Sequence, residues 1–126
     1  MMSQEEMEAA ICAGTARFQQ EYMGRSPFDI RARFVGDLLL VRIQGALSAA
    51  EQRLAISFPA EHGRDLLKQV RAQLIEVARP GLDALVTSIT GSKPLSLHHD
   101  ISTLTGEEIV VFTLGEAPQF QERTTS

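Results

Sequence analysis

The sequence predicts an α+β domain: a helix and a β-hairpin, then a long broken helix and a second hairpin, with about four antiparallel strands packed against helices. Three observations predict this. Residues 28 to 44 and 95 to 114 hold segments that alternate in side-chain character with a period of two. Residues 3 to 22 and 48 to 90 instead space their apolar residues by three and four, as a helix face requires. Glycine or proline stands wherever the period changes, at Gly24, Pro27, Gly45 and Gly91.

In the first helix, Met7, Ile11, Phe18 and Tyr22 form one narrow stripe, with Gly14 or Thr15 at the remaining turn. Ser3 and Glu6 read as a capping box, and Gly24 and Pro27 stop the helix. Phe28, Ile30, Ala32 and Phe34 then make one face of a strand, and Gly36 and Asp37 turn it into LLLVRIQ. There Leu39, Val41 and Ile43 share a face, opposite Leu38, Leu40, Arg42 and Gln44.

Ser48 and Glu51 form a second capping box, so a helix begins there. Pro59 interrupts it. Leu66, Leu67, Val70, Leu74 and Val77 are the expected buried face of the long helix, which Pro80 and Gly81 should break or kink before Leu82, Leu85, Val86 and Ile89 continue it. Beyond Gly91, Leu95, Leu97 and Ile101 alternate with Ser96, His98 and Asp100. After a turn at Thr105 to Glu107, IVVFTL is apolar on both faces. Residues 1 to 115 form one domain in this reading, and 116 to 126 a mobile or extended tail.

A chain of 126 residues is long enough to bury a core without disulfide or metal, and 44% hydrophobic with 22% charged residues is a globular composition. A net charge of −4 argues against general attraction to nucleic acid or to anionic lipid. Cys12 is the only cysteine, which excludes an internal disulfide and fits a reducing, cytoplasmic setting. No stretch approaches a membrane span, so direct insertion is not expected. The doubly apolar last strand leaves a second apolar surface with Val35, Leu38 and Leu40. Either the first helix covers it or a homodimer does.

The chemistry-bearing residues are sparse. In SLHHDIS, His98 and His99 point to opposite faces of a strand, whereas His98 and Asp100 share one, so no metal or cofactor is expected. Arg64, Lys68 and Arg71 lie along one side of the long helix, most simply as a solvated face beside Glu61, Asp65 and Glu76, and alternatively as an anion stripe. Arg31, Arg33 and Arg42 gather on the outer face of the first hairpin, without the interleaved aromatics of a nucleic-acid platform. Phosphate-loop and nucleophile-elbow patterns are absent.

Taken in order, EYMGRSP, GALSAAEQRLA, GRDLLKQVRAQLIE, ITGSKPLSLHHDIS and EEIVVFTL resemble the MpsC-like family over residues 8 to 115. That family is a domain of unknown function associated with a sodium-translocating, membrane-potential-generating system. Its Gly-Arg-Gly-Pro turn falls on Gly24, Arg25 and Pro27, with Ser26 in place of a glycine. Its Leu-Thr-Pro-Ala-Glu helix start falls on Leu47, Ala50 and Glu51, with Ser48 and Ala49 replacing threonine and proline, and its aspartate falls on Asp100. The resemblance implies an accessory or regulatory binding module that meets a membrane-transport subunit.

The residues together point to a non-catalytic working surface of Arg31, Arg33, Arg42, His98 and Asp100. Two alternatives stand beside it. One is a small-molecule site or enzyme at His98 and Asp100, with Glu51 or Arg71 reaching in from the helices. The other is a domain that only dimerises.

Overall fold

The computed structural model describes residues 2–24, 26–56 and 60–121. Helix α1 spans Gln4–Phe18 and runs into a π-helical turn at Gln19–Met23. Strands β1 (Asp29–Val35) and β2 (Leu38–Gln44) follow, then α2 (Ala49–Ile56), α3 (Ala60–Thr90), β3 (Pro94–Ile101) and β4 (Glu108–Leu114). Both capping boxes are present. Ser3 Oγ accepts from the Glu6 N–H at 3.2 Å, and Ser48 Oγ from the Glu51 N–H at 3.1 Å, with each glutamate reaching back to the serine N–H. Gly24, at φ 67°, ends the π turn in the left-handed conformation that costs glycine least.

The four strands form one antiparallel sheet in the order β1-β2-β4-β3, so the two hairpins join through β2 and β4. The helices pack on one side of it. Phe34, Val41, Ile43, Val110 and Phe112 meet Met7, Ile11 and Phe18 of α1 and Leu67, Ile75, Leu82 and Val86 of α3 in a single core. Helix α1 also closes the β1 edge. The Phe34 N–H donates to Glu8 Oε2 at 3.0 Å, and the Cys12 thiol donates to the Ile30 carbonyl at 3.3 Å, so these edge groups do not await another strand.

The long helix differs from expectation in two ways. Leu66, Val70 and Val77, assigned above to its buried face, are 50%, 46% and 74% exposed. The buried line is Leu67, Arg71, Ile75, Ala78, Leu82 and Val86. The helix carries apolar residues on two faces, and periodicity alone favoured the one without a charge. Secondly, α3 continues through Pro80. Pro80 lies on the exposed side, where a carbonyl deprived of its N–H partner can be hydrated. The interruption expected at Pro59 lies outside the described residues. The tail, as far as Gln121, is extended and anchored: the Phe120 ring packs on Phe34 at 5.4 Å, and the Gln121 N–H donates to the Met2 carbonyl at 2.9 Å.

Because Pro80 removes a hydrogen bond from an otherwise unbroken helix, Pro80→Ala is expected to stabilise the domain by about 1–3 kcal/mol. Urea unfolding followed by circular dichroism checks it. An unchanged or lower midpoint would mean that the helix depends on the proline.

Candidate functional site

Two constellations stand out, one on each side of the sheet. On the helical side, Glu108 opens β4 in register with Ile43 and Ile101 and is fully buried. Its Oε2 accepts from Arg71 Nε at 3.1 Å and Nη2 at 2.8 Å and lies 2.9 Å from His99 Nε2. Its Oε1 accepts from Gln19 Nε2 at 3.2 Å. The third guanidinium nitrogen, Arg71 Nη1, donates to Glu51 Oε2 at 3.1 Å, while Glu51 Oε1 serves the α2 capping box. One cluster therefore ties together the π turn, α2, α3, β3 and β4.

Electrostatics accounts for its stability. Burial pushes the Glu108 carboxyl upward, but the hydrogen bond from His99 and the adjacent Arg71 charge outweigh it and hold the carboxyl below its ordinary range. An ionised carboxylate only accepts, so His99 carries a proton on Nε2. The π turn supplies the last partner: Gln19, its first residue, is 1% exposed and aimed at Glu108.

The adjoining cavity, lined by Ile11, Phe18, Val41, Ile75 and Val86, measures about 20 Å³, room for about one water. Among the described residues no three His, Cys, Asp or Glu side chains are placed to hold a metal ion. With its donors and acceptors engaged and no space for a substrate beside them, the arrangement is a pin between layers.

Among the described residues, the other side of the sheet carries no helix. Strand register arranges it in three rows. Arg31, Arg42, Ile109 and Asp100 make the first, Arg33, Leu40, Val111 and His98 the second, and Val35, Leu38, Thr113 and Ser96 the third. Arg42 Nη2 pairs with Glu107 at 2.7 Å, and Arg31 Nε with Asp29 at 2.9 Å. Asp100 Oδ1 accepts from the Ile101 N–H at 2.8 Å and lies 3.2 Å from Lys68 Nζ, which reaches round the β3 edge. The bond from that backbone N–H, then the Lys68 ammonium, lower the Asp100 carboxyl below its ordinary range.

The residues singled out from sequence are thus divided by the sheet. Arg31, Arg33, Arg42, His98 and Asp100 share the open face, whereas Glu51 and Arg71 lie on the helical side and do not reach His98 and Asp100. Arg71, read above as part of a solvated helix face, is 2% exposed. Arg64 Nε does pair with Asp65, at 3.5 Å. Sequence reasoning weighs His99 and Glu108 only as metal ligands, sets them aside, and gives Gln19 no role. Glu108 shares the inward phase of Val110, Phe112 and Leu114, and Arg71 that of Leu67, Ile75 and Ala78, so a charge at a core-phase position was the available signal.

Residues 3–116 match the family described as "Na+-translocating membrane potential-generating system (MpsC)". The chain belongs to the MpsC family. It is also 32% identical over 108 residues to an uncharacterized protein of Bacillus subtilis (strain 168), YbcI, covering 86% of this chain and 85% of that one. No solved structure shows significant similarity. No helix among the described residues is long and apolar enough to cross a membrane. Arg25, part of the family turn, lies outside the described residues.

Glu108→Gln removes the buried counter-charge of Arg71 and leaves it only the partly exposed Glu51, and the expected loss is about 3–5 kcal/mol at pH 7. Because the folded carboxyl titrates below its unfolded value, its contribution is complete above the ordinary glutamate range and disappears as pH falls through the lowered value. The gap between wild type and variant should therefore shrink from pH 7 to pH 3 in urea titrations. A gap that is constant or widens on acidification would contradict the assignment.

Proposed function

We propose that this domain is a non-catalytic cytoplasmic accessory or regulatory module of a membrane cation-translocating system, and that it works through the open face of its sheet. The observation that carries this is the uncovered face itself. Leu38 and Leu40 are 38% and 37% exposed at its middle, beside Arg31, Arg33 and Arg42, while the ionisable cluster on the helical side is sealed. Flat surfaces with an apolar centre and a charged margin suit protein contact better than the enclosure of a small molecule.

The family description supplies the setting. In this reading the ion path belongs to a membrane-embedded partner, and the domain acts on it by binding. Arg33 and Arg42 are exposed enough that reversing their charge should leave the fold intact.

In native membranes solubilised in mild detergent, the tagged chain is expected to co-purify with an integral membrane transport subunit, and the Arg33→Glu/Arg42→Glu variant to lose at least about nine-tenths of it. Retention by a folded variant would rule out this face as the working surface.

A further inference from the structure

The open face also carries information about what covers it. We propose that its occupant is a second copy of this chain, stacked sheet on sheet about a two-fold axis that runs parallel to the strands between β2 and β4. This rests on the open face being the working surface and names what occupies it when no membrane partner is bound. Each β1 then lies over β3 of the other copy, and β2 over β4.

Charge selects this arrangement. The β1-β2 half of the face bears Arg31, Arg33 and Arg42 against Asp29, and the β4-β3 half bears Asp100 and Glu107, with His98 in the second row and Lys68 at the rim. An axis along the strands keeps each row in place and exchanges the two halves. Arg31 then faces Asp100 of the partner subunit, and Leu40 faces Val111 of the partner subunit. An axis across the strands would instead lay β1 on β1 and bring the arginines of both copies together, which opposes association.

The apolar content fits as well. Leu38, Leu40, Ile109 and Val111 form a block at the two central strands, and Val35, 65% exposed, extends it along one row. Antiparallel sheets commonly pack through such faces at about 10 Å, rotated by about 30°. That rotation moves the corner residues by a few ångström, within the span of an arginine side chain. Four strands of about seven residues give a plan area of roughly 450 Å² per copy. Side-chain relief adds accessible surface to that, and the pair reaches the size of about 1,000 Å² at which specific contacts begin.

The purified chain, with no membrane partner present, tests this by light scattering on a sizing column and by sedimentation. At tens of micromolar the wild type is expected to be a dimer. Arg31→Asp and Asp100→Arg should each weaken it at least about tenfold, since every substitution acts twice in a two-fold dimer. The double swap Arg31→Asp/Asp100→Arg should restore it. Arg31 and Asp100 side chains are 65% and 76% exposed, so the variants should fold, which circular dichroism verifies. A wild-type monomer would overturn the proposal, and continued capture of a transport subunit through Arg33 and Arg42 would leave the working-surface reading standing. A dimer indifferent to both single substitutions would overturn it too, by placing the contact elsewhere.

Discussion

The ion pair between Glu108 and Arg71 is the constraint on which the rest of this structure depends. A carboxylate placed in the first core position of a central strand is tolerable only if its charge is met and its lone pairs are filled. Arg71 meets the charge from α3, while His99 from the neighbouring strand and Gln19 from the π turn that ends the first helix fill the lone pairs. Each fixes an element relative to β4. Glu51 extends the same contact to α2, whose own start it caps. Hydrophobic packing would allow α3 to slide or rotate against the sheet with modest loss, whereas this set of directional bonds allows one arrangement.

That demand explains features that seem unrelated. The buried face of α3 follows the line through Arg71 rather than the richer apolar line through Leu66, Val70 and Val77, because Arg71 cannot be turned to solvent while Glu108 is buried. The first helix widens into a π turn where a straight α-helix would continue, and the side chain presented there is the glutamine that completes the carboxylate's shell. The helical layer is committed to one face of the sheet, which leaves the other face bare. A pinned interior and an uncovered exterior are two consequences of one placement.

The division also separates two roles for charge. Inside, each charged group is matched by a directional partner and serves position. Outside, Arg31, Arg33, Arg42 and Asp100 are exposed, weakly held by neighbours and ordered in rows by strand register, so they are available to discriminate between partners and orientations.

Much of the fold was legible in the chain because its signals are local. Period-two alternation marked the first hairpin and β3, an apolar run marked β4, the Ser3/Glu6 and Ser48/Glu51 boxes marked helix starts, and Gly24 and Gly91 marked ends, each through interactions spanning a few residues. The sharing of one face by His98 and Asp100, and by Arg31, Arg33 and Arg42, followed from the same alternation. What lay beyond reach was any choice settled by contacts distant in sequence. Which of two apolar faces of α3 is buried, whether Pro80 breaks it, and that Phe120 anchors the tail on Phe34 are decided by what packs opposite. The union of Gln19, Glu51, Arg71, His99 and Glu108, separated by up to 89 positions, is decided in the same way. Local periodicity specifies which residues share a face; only the tertiary structure decides which face meets water, because burial depends on the partner surface and not on the segment itself.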